Sequence, residues 1–206
     1  MAVMIHPDCV TADPATLRYG TFFEDPMEVL LHDAINHYGG VWQNSNIHYF
    51  DTLNQAIDAM QTREIDACTF IEPVIIQLEM LGFKKMCDGA DIWQAAYPDT
   101  VLVTRQSFMH QHPDTVDAVI RALLQAEKTI KADPTGALSS VTQFYPGVSL
   151  PVMMQGLSRQ PSQIDIRSLA DTIIGRFDAL SAMGRLDPPD DPYSVLDFSR
   201  LSTLLS

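Results

Sequence analysis

The sequence predicts an α/β protein in two parts, and three observations carry that prediction. Short apolar strands alternate with amphipathic helices over residues 16–89. Those helices begin and end on recognisable cap residues. From about residue 106 the strand patterns stop and only helical periodicity remains. The expected organisation is an N-terminal arm (1–15), an α/β lobe with a hinge strand (16–105) and a helical C-terminal segment (106–206).

Residues 1–15 contain Pro7 and Pro14 and show little periodicity, which reads as an arm. "TLRYGTFF" (16–23) has the apolar and aromatic density of a strand. "EDPMEVLLHDAINHYGG" (24–40) follows as a helix: Asp25 caps, Pro26 suits the first position, Glu28 complements the dipole and Gly39-Gly40 ends it. "IHYFDT" (47–52) is a second strand, and "TLNQAIDAMQTRE" (52–64) a helix with Leu53, Ile57 and Met60 on one face. "REIDACTFIEP" (63–73) holds a buried strand through Ile65, Ala67, Cys68, Phe70 and Ile71 that stops at Glu72-Pro73. A helix, a turn and a short edge come next (74–89), and "DTVLVTR" (99–105) reads as one more strand.

The remainder is helical. "HPDTVDAVIRALLQAEKTIKADP" (112–134) repeats Val116, Val119, Ile120, Leu123, Leu124 and Ile130 at helical spacing before Asp133-Pro134 closes it. Three further helical stretches lie within 135–145, 149–159 and 162–186, the last ended by Gly184, and "DPPDDPY" (187–193) reads as a loop. The strand–helix alternation implies parallel strands with right-handed crossovers. Ligands of open α/β sheets bind outside the carboxyl ends of the strands, so Phe22 to Asp25, Asp51-Thr52 and Thr69 to Pro73 are expected on one rim.

Composition narrows the function. A net charge of -13, with only 13 scattered basic residues, argues against nucleic acid as a partner. Hydrophobic content of 46% suits a globular core. No apolar run approaches the ~20 residues of a membrane span, so no membrane insertion is expected. "MAVMIHPDCV" lacks the pattern of a secretory signal, which places the chain in the cytoplasm as it stands. Removal of a signal and an N-terminal region would make it periplasmic. Cys9, Cys68 and Cys87 match no disulfide framework.

The ordered series "LNQAIDAMQTREIDACTFIEP", "GFKKMCDG" and "DTVLVTRQSFMHQHPDTVDAVIRALLQAEKTIKADP" resembles the solute-binding proteins of nitrate, sulfonate, taurine and bicarbonate ABC transporters. The same superfamily includes enzymes of thiamine-pyrimidine synthesis. Arg63-Glu64 replaces the usual glycine before the "IDA" strand, and His112 stands where Asn is common. The resemblance spans roughly residues 16–145. It implies a type II periplasmic-binding fold of two α/β lobes about a cleft, with 16–105 as lobe two and the helices of 106–206 as a remnant of lobe one. The N-terminal part of lobe one has no counterpart, which leaves an apolar face on those helices. A homodimer contact or a partner chain is expected to cover residues 106–206, and a transporter permease is a further expected partner.

Seven residues are the candidate ligand contacts: Phe22, Glu24, Asp25, Asp51, Thr52, Thr69 and Glu72. Family members place small or hydroxyl residues at the first rim, where a helix N-terminus holds an anion. Glu24 and Asp25 would repel one, which favours a cationic, neutral or metal-bridged ligand. The same two carboxylates also serve a ligand-free helix start. Glu72 can pair with a ligand amine or guanidinium, or act as a cap, and Asp51 and Thr52 are helix caps before they are contacts. His110, His112 and the His6–Cys9 stretch lack a third ligand at metal spacing, so no metal is expected. Cys68 reads as a core thiol. The cysteine-rich motif and cofactor lysine of the thiamine-pyrimidine enzymes are missing, as are Walker, Rossmann and nucleophile-elbow motifs, and no cofactor is expected. The leading expectation is a solute-binding protein without chemistry. The alternatives are an enzyme or enzyme subunit using a carboxylate such as Glu72 or Asp25 as base, and a regulatory or interaction subunit.

Overall fold

In the computed structural model, which describes residues 1–187 and 190–206, the chain opens with a strand. β1 (Ala2–Ile5) precedes β2 (Arg18–Thr21), α1 (Pro26–His37), β3 (Asn46–Tyr49) and α2 (Leu53–Gln61). β4 (Ala67–Phe70), α3 (Val74–Met80), β5 (Lys84–Asp88) and α4 (Gly89–Trp93) follow. The rest is helical: α5 (Gln106–Gln111), α6 (Pro113–Ala132), α7 (Pro134–Val141), α8 (Leu150–Arg159), α9 (Ala170–Ile174), α10 (Arg176–Ala182) and α11 (Ser199–Leu205). Of the expected loop at 187–193, Pro188 and Pro189 lie outside the described residues.

The helices start where the sequence supplies acceptors for their first N–H groups. Asp25 accepts from the Met27 N–H at 2.9 Å ahead of Pro26. Thr52 and Gln55 form a reciprocal capping box on α2, and Asp88 and Asp91 form another on α4.

The chain divides into two compact units, Met1–Asp99 with Thr172–Asp190, and Thr100–Asp171 with Asp191–Ser206. Unit one is a five-stranded mixed sheet of order β3-β2-β4-β1-β5. β2 runs parallel to β3 and β4, as the crossovers require. β1 runs antiparallel to both β4 and β5. The arm expected over 1–15 is therefore corrected at its start, because Ala2–Ile5 is a fully buried inner strand. Its four apolar residues alternate between the two faces. Val3 and Ile5 join Leu30, Leu31, Ala34 and Ile35 of α1, whereas Ala2 and Met4 join Ala56 and Met60 of α2 and Ile75 and Leu78 of α3. A strand buried on both faces has no polar alternation to betray it.

Two details show how closely the sheet is packed. A Cβ on Gly20 would lie 2.6 Å from Ile65 Cδ1 and 2.9 Å from Cys68 Sγ, so any larger residue there must push these side chains aside. The second is an ion pair at the amino ends of β2 and β4. Asp66 accepts from Arg18 Nε at 2.9 Å, Arg18 Nη2 at 2.7 Å and the Arg18 backbone N–H at 2.9 Å. Bonding to Arg18 holds the Asp66 carboxyl down at about 2.

Unit two is helical. Val116 and Ile120 of α6 pack with Leu201 of α11, while Arg200 of α11 donates to Asp117 Oδ1 at 2.7 Å. The strand expected over 99–105 does not form: the segment has no ladder, and Val101, Leu102 and Val103 are exposed. Its β-branched residues have the propensity, but no sheet edge lies beside them in unit two.

Candidate functional site at the strand ends

β3, β2 and β4 are neighbours and parallel, so their carboxyl ends open on one edge of unit one. At this edge the core becomes polar. Thr21 ends β2 and Thr69 lies one residue from the end of β4; both are fully buried, and their hydroxyls meet at 2.9 Å. The mutual bond satisfies two groups that burial alone would penalise.

Glu28, in the first turn of α1, is also fully buried. Its Oε1 accepts from Tyr49 OH at 2.7 Å and from Arg185 Nη2, and its Oε2 accepts from the Glu24 backbone N–H at 3.1 Å. Arg185 Nη2 also donates to Tyr49 OH at 2.9 Å. The guanidinium carbon sits 4.4 Å from the centre of the Phe23 ring, which meets the Tyr49 ring edge-on at 5.5 Å. Burial, then the hydrogen bond to Glu28, pushes the Tyr49 phenol up to about 12. Bonding to Glu28 likewise raises the Arg185 guanidinium above its ordinary value.

The turn that links β2 to α1 is strained. Glu24 has φ of 56°, in the left-handed region where a residue with a Cβ is disfavoured. The Glu28 carboxylate holds that residue in place through its N–H. A buried charge, an aromatic pair and a strained backbone thus converge at the end of β2.

A profile of the NMT1-like family matches residues 44–143, and no curated protein sequence matches the chain. Among solved structures, the periplasmic aliphatic sulphonate-binding protein SsuA of Escherichia coli superposes with a TM-score of 0.74. It shares 15% identity, over 94% of this chain and 67% of that one. The chain has the type II periplasmic-binding fold. The alkanesulfonate-binding protein SsuA of Xanthomonas axonopodis pv. citri, solved with MOPS, gives a TM-score of 0.72 at 16% identity over 90% of this chain. A zinc-bound ligand-binding component of an ABC-type import system from Staphylococcus aureus gives 0.70 at 17% identity over 95%. The chain spans 65% to 67% of the length of these proteins. The resemblance read from the motifs therefore holds, and with it the α/β periplasmic-binding fold class.

Within that fold the seven candidate contacts take different positions. Phe22, Glu24 and Asp25 follow β2, Asp51 and Thr52 follow β3, Thr69 lies in β4 and Glu72 follows it. Asp25 and Thr52 are committed to helix caps. Asp51 is exposed and gives its backbone N–H to Gln55 Oε1 at 3.2 Å. Thr69 is turned inward to Thr21. Phe22 is half-buried, and Glu24 is exposed beside it. Glu72 is half-buried and joined to Pro73 by a cis peptide bond. Among the described residues no three His, Cys, Asp or Glu side chains come together as metal ligands.

The sequence places Thr21 beside the first rim without making it a contact, gives Glu28 only a dipole role, and does not single out Tyr49 or Arg185. A signal for Glu28 did exist. It shares the helix face of Leu31 and Ile35, at i, i+3 and i+7, so a carboxylate occupies a position that the apolar stripe assigns to the core. Arg185, by contrast, lies 157 residues away in the chain, and no local pattern connects it to the site.

Proposed function

We propose that the chain binds a small polar solute at the carboxyl ends of β2, β3 and β4, as a substrate-binding component of an ABC importer does, without performing chemistry on it. The observation that carries this reading is the cluster of buried polar groups at one edge of an otherwise apolar sheet: the Thr21–Thr69 hydroxyl pair and the Glu28–Tyr49–Arg185 network. Open α/β sheets bind ligands at such edges. The similar solved structures are binding proteins, which supports the same reading. Phe22, Glu24, Asp51 and Glu72 supply the contacts. Asp25, Thr52 and Thr69 fix the turns that present them. A transporter permease is the corresponding partner, and a second copy of the chain or another chain covers the exposed apolar side chains of unit two.

Thermal unfolding against a panel of small anions, sulfonates, amines, aminopyrimidines and divalent metals tests the reading. A solute that binds only the native state adds about 2.7 kcal/mol of stability at a hundredfold excess over its dissociation constant. Glu72→Ala is expected to abolish most of that shift while leaving the transition of the free protein nearly unchanged. No shift from any compound, with the wild type folded, removes the proposal.

A further inference from the structure

The group that neutralises Glu28 comes from a distant part of the chain and fits it incompletely. The Glu28 side chain is 1% exposed, so its charge requires a cation. Among the described residues, its other hydrogen bonds come from neutral groups: the Tyr49 phenol at the end of β3 and the Glu24 backbone N–H in the turn after β2, the turn that also carries the Phe23 ring. The cation is the guanidinium of Arg185, on the turn after α10. That guanidinium uses one nitrogen, Nη2, for both Glu28 and Tyr49. Its Nε is buried without a hydrogen-bond partner among the described residues. A guanidinium has five N–H donors arranged for two-point pairing with a carboxylate, and the tether of Arg185 lets it use few of them here.

Apart from Arg185, the surroundings make a receptor for a planar cation. One wall is a buried carboxylate, the next a phenol that donates to that carboxylate and accepts from the cation, and the third an aromatic face. Phe23 is 55% exposed and Arg185 23%, so the site reaches solvent. Glu24, Asp51 and Glu72 on the same rim add negative charge.

We propose that Glu28, Tyr49 and Phe23 form a subsite for a guanidinium or amidinium cation, and that Arg185 is its tethered occupant, displaced when such a ligand binds. This inference rests on the solute-binding reading above and names the ligand class. A free cation of this type is not held by a backbone tether and can turn to give Glu28 two parallel N–H bonds. The tether acts as a high local concentration of competitor, so the ligand binds the native protein more weakly than it would bind an emptied box.

The test is thermal unfolding of the wild type, Arg185→Ala, and Arg185→Ala combined with Glu28→Gln, each titrated with methylguanidinium chloride against equal sodium chloride. The expected result is a rise in the transition of Arg185→Ala that sodium does not produce and that Glu28→Gln abolishes. The wild type is expected to respond only at concentrations at least about tenfold higher. Should Arg185→Ala not fold alone, Arg185→Lys replaces it in the same comparison, since it keeps the charge and surrenders the planar fork. A response no greater than that to sodium, or one that survives Glu28→Gln, overturns the proposal. If another panel solute still stabilises the wild type in that case, the wider reading stands and only the cation box falls. If methylguanidinium acts selectively on Arg185→Ala but no panel solute moves the wild type, the box stands and the wider reading falls.

Discussion

Arg18 meets Asp66 with its side-chain fork and its backbone N–H, so the Asp of "EIDA" ties the start of β2 to the start of β4. It lies at the opposite end of the strands from the proposed ligand rim, and its role is structural. Because its folded value is depressed to about 2, its stabilisation is fully present above the ordinary value of about 4 and is lost as pH falls towards 2. Asp66→Asn is expected to cost about 1–3 kcal/mol at neutral pH and to flatten the acid limb of stability over that window. Denaturant titrations at several pH values measure both effects. Asp25 and Thr52 were legible as caps because a cap is read from a few adjacent residues. Glu28 was half-legible: its helix was clear, but whether a first-turn carboxylate faces water or core depends on what packs against it.

Among the elements, β2, β3, β4 and the helices between them follow from alternation and caps, and their parallel order follows from the crossovers. β1 was missed because four apolar residues followed by His-Pro-Asp carry no period, and only its two antiparallel neighbours define it as a strand. The segment 99–105 failed in the opposite direction, since propensity was present and a pairing edge was not. Gly20 gives the sheet a test of its own. Gly20→Ala would force Ile65, Phe50 or Cys68 aside, and a loss of about 1–3 kcal/mol in unfolding free energy is expected. An unchanged denaturation midpoint would show that the sheet yields more readily than the close contacts imply.

At the scale of the whole molecule, the composition of the sequence shifts near residue 105, and the first division between the two compact units falls between Asp99 and Thr100. The sequence carries no sign of the return to unit one after Asp171, because the helices there, through Ala182, have the same periodicity as their surroundings and are placed by long-range partners. The Arg176 guanidinium carbon lies over the Trp93 ring, 3.3 Å from its centre, and Arg185 reaches Glu28. The polypeptide therefore passes between the units three times, at 99/100, 171/172 and 190/191. A protease that cuts the exposed, ladder-free stretch from Thr100 to Arg105 severs only one of these passages. The two fragments are expected to travel together through a sizing column and to part only in denaturant, because the C-terminal fragment carries the return segment that packs within unit one against the N-terminal fragment. Fragments that separate under native conditions would show that this grip is weaker than its contacts suggest. In this sense the chain is stitched rather than hung on a single thread, and one broken stitch leaves the folded unit of sheet and return segment whole.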